Sequence, residues 1–174
     1  KEAQLKYLQS QINPHFLFNS LNAGAQLAMM EDAEQTGIFV EKMADFFRYN
    51  VKKGQEDATL GEELEAVDNY IYILNVRFAG DIHFSKDVDE SLENVRVPSM
   101  ILQPIVENAV NHGIRDIEWE GKIHLTVTGD ADYIRISVKD NGKGMTPEQI
   151  EGVLSGNKEY RKEEGDSTGI GMNN

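Results

Sequence analysis

The chain of 174 residues has no cysteine, so it can form neither a disulfide framework nor a thiolate metal site, and a reducing compartment fits it. No apolar run is long enough to span a bilayer. Basic residues are few: 17 Lys and Arg stand against 30 Asp and Glu, a net charge of -13. That balance argues against nucleic acid or an anionic membrane surface as the main partner, since both reward positive charge. No internal repeat is present. What remains, 40% hydrophobic and 27% charged, is the composition of a globular protein with a real core. The opening Lys1-Glu-Ala-Gln4 has the character of mid-helix, and the chain reads as a fragment.

Leu5, Leu8, Ile12 and then His15 or Phe16 recur every three or four residues, the pattern of an amphipathic helix. Pro14 interrupts it, which predicts a kink or a fresh start with Asn13 as N-cap. A second helix is expected over residues 33–53, with Phe39, Met43, Phe46, Phe47 and Asn50 on one side. Such a hairpin exposes too much apolar surface to stand alone. Two copies about a twofold axis would close a four-helix bundle, hence a homodimer; otherwise the helices pack on the domain that follows.

Thr59-Leu-Gly-Glu62 forms a capping box for a helix reaching about Phe78, with Leu64, Val67, Ile71, Leu74 and Phe78 facing inward. Ile82, Phe84 and Val88 suggest a strand, and Pro98-Ser99 introduces a helix from Met100 to His112. Ile123, Leu125 and Val127, then Ile134, Ile136 and Val138, alternate with polar residues about a Gly129-Asp130 turn: a β-hairpin with one apolar face. Thr146-Pro-Glu-Gln149 opens a short helix near residues 147–154. Residues 155–168 hold few apolar anchors and are expected to become ordered only around a ligand.

Three segments carry the chemistry. In Asp140-Asn-Gly-Lys-Gly-Met145 a carboxylate ends a strand and is followed by backbone without Cβ, where a flat ring or a phosphate can approach; taken alone it is also a common turn. On the helix from Met100, Ile101, Ile105 and Ala109 form an apolar side, while Glu107 with Asn111 and Asn108 with His112 are i,i+4 pairs on the polar side. Asparagine oxygens can join Mg2+ beside phosphate oxygens without adding negative charge; the bland reading is a half-buried helix with a polar face. Thr168-Gly-Ile-Gly171 has the form of a phosphate-cradling turn. In sequence order, the three favour a nucleotide site over any one of them read singly.

Gln103-Pro-Ile-Val-Glu-Asn-Ala-Val-Asn-His-Gly113, Asp140-Asn-Gly-Lys-Gly144 and Thr168-Gly-Ile-Gly171 resemble the N, G1 and G2 boxes of the Bergerat-type ATP fold shared by gyrase, Hsp90, MutL and histidine kinases. Gln9-Ser-Gln-Ile-Asn-Pro-His-Phe-Leu-Phe-Asn19 resembles the phosphoacceptor segment of the LytS/YesM-like sensor histidine kinases. The resemblance implies an α+β chain: a helical hairpin in residues 1–57 forming a dimeric four-helix bundle, then a two-layer α/β sandwich in residues 58–174, truncated at its C-terminus. It implies ATP and Mg2+ as cofactors, autophosphorylation of His15, and onward transfer to an aspartate of a response regulator. The membrane would be reached only through segments outside this chain, whose own place would be cytoplasmic.

Carried over, the resemblance makes Asn108 the Mg2+ ligand, with Asn111 and His112 near the phosphates. Asp140 would accept the adenine amino group, Gly142 and Gly144 would shape its pocket, and Thr168, Gly169 and Gly171 would approach the phosphates. Lys143, Lys158, Arg161 and Lys162 stay open as γ-phosphate contacts. Asn19, or Gln11, would orient the His15 ring, with Asn19 favoured, and Glu107 would accept a proton. Bergerat ATPases carry a water-activating Glu where this chain has Pro104, so efficient hydrolysis to water is not expected. The competing reading is a nucleotide-binding scaffold of the same fold whose catalysis has lapsed.

Overall fold

Helix α1, Pro14–Met30, begins at the proline that interrupts the first hydrophobic pattern, where the missing N–H would have no helical partner anyway. The computed structural model describes residues 14–51, 57–77, 82–130 and 132–154; Leu5, Leu8, Gln11, Ile12 and Asn13 lie outside them. Helix α1 ends in a Schellman turn: the Ala33 N–H donates to Ala28 O at 2.8 Å and the Asp32 N–H to Met29 O at 3.2 Å. Asp32 takes the left-handed position with φ 57°, usually a glycine's. The chain then reverses into α2, Glu34–Val51.

The two helices approach closely where side chains are small. Gly37 and Ala44 are the buried residues of α2, and a Cβ at Gly37 would come within 2.7 Å of Met29 Cε. Of the stripe predicted for α2, Phe39, Met43, Phe46 and Asn50 are half-buried and Phe47 is exposed. The Arg48 guanidinium lies 5.5 Å above the Phe18 ring.

Strand β1, Ala58–Thr59, leads into α3, Leu60–Arg77. The capping box is present as expected: the Thr59 N–H donates to Glu62 Oε2 at 2.8 Å and the Glu62 N–H to Thr59 Oγ1 at 3.2 Å. Leu64, Val67, Ile71 and Leu74 are all buried, together with Leu60 and Ala66; Phe78 lies outside the described residues. Phe46 of α2 stacks on Tyr70 of α3 with ring centroids 5.9 Å apart. Strand β3, Arg96–Val97, pairs antiparallel with β1 and closes this region.

Strand β2, Ile82–Val88, joins β4, Gly121–Gly129, and β5, Ile134–Asp140, in a three-stranded sheet of order β2-β4-β5. The β4–β5 hairpin is antiparallel in the register Ile123↔Asp140 through Gly129↔Ile134. Ile123, Leu125 and Val127 are fully buried, so the alternation read from sequence holds. Asp130 secures the turn by accepting the N–H groups of Asp132 and Tyr133, both at 3.0 Å. Helix α4, Leu102–Asn108, passes directly into a π-helical turn, Ala109–Ile114, that packs on β4 and β5. Helix α5, Pro147–Leu154, starts at the second reciprocal capping box, between Thr146 and Gln149.

The chain divides into two compact units, residues 1–82 with 90–103, and residues 83–89 with 104–174. The first is helical with the β1–β3 pair; the second holds the three-stranded sheet, the π turn and α5.

Candidate nucleotide site

Period-two alternation explains why a carboxylate stands where it does. Ile134, Ile136 and Val138 share one face of β5, and Asp140 continues that row opposite the buried Ile123. The strand thus ends by placing one half-buried carboxylate at the margin of an apolar face. Asp140 Oδ1 accepts the Gly142 N–H at 2.9 Å, which folds the chain back in an Asx turn.

Asn141 locks that turn. Its Oδ1 accepts the Lys122 N–H at 2.7 Å, its Nδ2 donates to Glu120 O at 2.9 Å, and its carbonyl accepts Trp119 Nε1 at 2.9 Å. Both ends of the amide are spent on the start of β4, so Asn141 holds the loop.

The glycines act for different reasons. A Cβ on Gly113 would lie 2.6 Å from Asp140 Oδ1, and a Cβ on Gly142 would overlap the Gly113 carbonyl. Gly113 and Gly142 together form a side-chain-free ledge beside the carboxylate, closed by the Lys143 N–H donating to Gly113 O at 3.1 Å. Gly144 has φ 68° and open space around it, so it is needed for backbone freedom and not for clearance. A carboxylate acceptor beside a flat, Cβ-free ledge fits a planar ring bearing an exocyclic amino group, and adenine answers that description.

The helix leading to this ledge departs from the sequence expectation. Met100 takes φ 62°, so the α-helix begins at Leu102 and not at Met100. The face that is buried is Leu102, Val106, Ala109 and Val110; Ile105, expected inside, is 40% exposed. After Asn108 the turn widens, with the Arg115 N–H reaching back five residues to Val110 O at 2.9 Å. Asn108 and His112 are therefore not the α-helical i,i+4 pair expected from spacing. The widening instead brings Gly113 onto the Asp140 carboxylate. Glu107, Asn108 and His112 are half-buried and Asn111 is exposed.

His15 is the second residue of α1, and Asn19, one turn on, is exposed. Thr168, Gly169, Gly171, Lys158, Arg161 and Lys162 lie outside the described residues. Among the described residues no group of three His, Cys, Asp or Glu side chains could hold a metal ion. No helix among the described residues is long and apolar enough to cross a membrane.

Sequence reasoning missed Gly113 and Asn141 as parts of the Asp140 turn, and Glu63 as the acceptor of the Met100, Ile101 and Leu102 N–H groups. Glu63 shares the helical face of Leu60, Val67 and Ile71, and that placement of an acid on an apolar stripe was the available signal.

Residues 3–82 match the model of the family described as histidine kinase, and residues 95–174 match that described as histidine kinase-, DNA gyrase B-, and HSP90-like ATPase. The chain is 37% identical over 163 residues to the sensor histidine kinase YpdA of Escherichia coli, covering 90% of this chain and 28% of that protein. It is 32% identical to the sensor histidine kinase BtsS of Escherichia coli, over 98% of this chain and 31% of the relative. Against the sensor protein LytS of Bacillus subtilis it is 31% identical over 98% of this chain, again 28% of the relative's length. The chain thus spans under a third of the relatives it matches.

Proposed function

This chain belongs to the sensor histidine kinases, and from that membership we propose that it is an ATP-dependent kinase core that phosphorylates its own His15. The observation that carries the reading is the Asp140 carboxylate beside the Gly113–Gly142 ledge, an acceptor with Cβ-free backbone beside it built by two sequence-distant motifs.

In this reading residues 1–57 form the phosphoacceptor hairpin and residues 58–174 the ATP-binding domain. Asp140 accepts the adenine amino group and the ledge admits the ring's face. Asn108 offers an amide oxygen to Mg2+, which when bound neutralises phosphate charge. Asn111 and His112 stand at the phosphate end, followed by Thr168, Gly169 and Gly171.

Phosphoryl transfer is mostly positioning and charge neutralisation, so the acceptor needs orientation more than a strong base. An unperturbed imidazole, with pKa about 6.5, is mostly neutral near pH 7 and has a lone pair to give. A ring nitrogen of His15 forms the N–P bond as the bond from γ-phosphorus to the β,γ-bridging oxygen breaks. ADP leaves with that electron pair, and the ring proton passes to Glu107. Asn19, one helical turn from His15, orients the ring. Pro104 leaves no water-activating acid in the first turn of α4, which favours transfer to histidine over hydrolysis.

The phosphohistidine would serve an aspartate on a response regulator. Leu27, Met29, Met30, Phe47 and Val51 leave apolar surface on the hairpin, which supports a homodimeric bundle. We place the core on the cytoplasmic side of a membrane sensor, where ATP is.

Incubation with γ-labelled ATP and Mg2+ tests the proposal. The chain should acquire acid-labile, alkali-stable label, and His15→Gln should lose it while still binding nucleotide. Label that persists in His15→Gln would remove His15 as the acceptor.

A further inference from the structure

Glu63 is the only buried acid among the described residues, 1% exposed. Its carboxylate collects three successive backbone N–H groups: Met100 on Oε1 at 2.7 Å, and Ile101 and Leu102 on Oε2 at 2.8 and 2.9 Å. The Tyr49 hydroxyl, from the second hairpin helix, donates to Oε1 as well. One residue further on, Gln103 Nε2 donates to Asn50 Oδ1 at 3.3 Å, and Asn50 in turn donates to Phe46 O at 2.8 Å.

Met100 is the unusual member of this cluster. It carries a full side chain at φ 62°, a conformation disfavoured for any residue with a Cβ, and nothing at its own position favours it. It persists where the surroundings over-determine it, and here its N–H is held by a carboxylate that also caps the next two N–H groups. Helix α4 is only 7 residues long, and Asn108 is its last. Helix α4 runs unbroken from the capped Leu102 to Asn108.

We propose that Glu63 is a positioning residue for the nucleotide site: by holding Met100 in the left-handed conformation it sets the start of the helix that presents Asn108, and Tyr49 fixes the carboxylate that does so. The inference rests on the nucleotide reading above and adds a link from the hairpin to that helix. Tyr49 and Asn50 are adjacent residues, the first tied to the start of α4 through Glu63 and the second bonded to Gln103, so the second hairpin helix is tied to the element carrying the proposed metal-binding amide.

The test is equilibrium binding of trinitrophenyl-ATP with Mg2+ to the intact chain, alongside circular dichroism melts and steady-state autophosphorylation. Glu63→Gln keeps the volume but offers one oxygen where two accepted, so a backbone N–H loses its partner, and affinity is expected to fall about tenfold. KM for ATP should rise while kcat holds. Met100→Gly in that background should restore affinity to within about threefold, because glycine takes the left-handed conformation without help. Tyr49→Phe, nearly isosteric, should weaken binding about threefold.

Normal affinity in Glu63→Gln, or lost affinity that Met100→Gly does not recover, would overturn the proposal. Unchanged affinity in Tyr49→Phe would overturn it even if Glu63→Gln could not fold. Failure of the unaltered chain to bind nucleotide would instead overturn the nucleotide reading, and this inference with it.

Discussion

At the scale of single residues, the proposed site separates side chains that would touch a nucleotide from those that hold them in place. Asp140→Asn keeps the size and loses the charged acceptor, so adenine nucleotide affinity should fall by about tenfold or more in a calorimetric titration. The three glycines should not fail alike. Gly144→Ala meets open space and costs about 1 kcal/mol of backbone strain, measurable by urea denaturation. Gly142→Ala must push against the Gly113 backbone, so it should abolish nucleotide binding at a smaller cost in folding than that clash would imply for a rigid loop. Asp140 was legible from its place at the end of an alternating strand. Gly113 was not, because the atoms that forbid it a side chain belong to a strand far off in the sequence.

At the scale of elements, contacts closed within one turn were legible, and so were faces where the element is regular, as in α3 and β4. Both capping boxes formed with the partners expected, since each is a contact three residues long. Thr59→Ala should therefore cost about 1 kcal/mol in a thermal or urea melt. The apolar side of α4 was misread because periodicity assumes a uniform helix with a known start. Met100 delays that start and the π turn shifts the phase at the other end, so Val106 is buried where Ile105 was expected. Tyr49 is a further product of packing between elements. Burial, then the Glu63 carboxylate, pushes its phenol above the ordinary value of 10.0. The folded chain holds that proton more tightly than the unfolded one. The resulting stabilisation is complete below pH 10 and is lost as pH rises beyond it. Melts from pH 8 upward should show an alkaline decline that Tyr49→Phe lacks.

At the scale of the whole molecule, charge is the dominant quantity. A chain of net charge -13 repels free ATP, and salt screens that repulsion. Without Mg2+, nucleotide affinity should rise as ionic strength goes from about 10 to about 150 mM, opposite to the trend for a basic nucleotide binder. A falling affinity in that titration would contradict the account. The contacts that tie Tyr49, Glu63 and Met100 together join three separate segments, and no local pattern announces such a triple. The π turn carries a consequence for the chain as a register of residues. It is in effect one surplus residue threaded into an otherwise α-helical path. Deleting Val110 would let the helix run on regularly, and because the widened turn already absorbs that residue, those beyond it would keep nearly their present direction around the axis. Gly113 would then still face Asp140, so the proposed ledge should survive that deletion, whereas a second deletion from the now regular helix would turn Gly113 about 100° away.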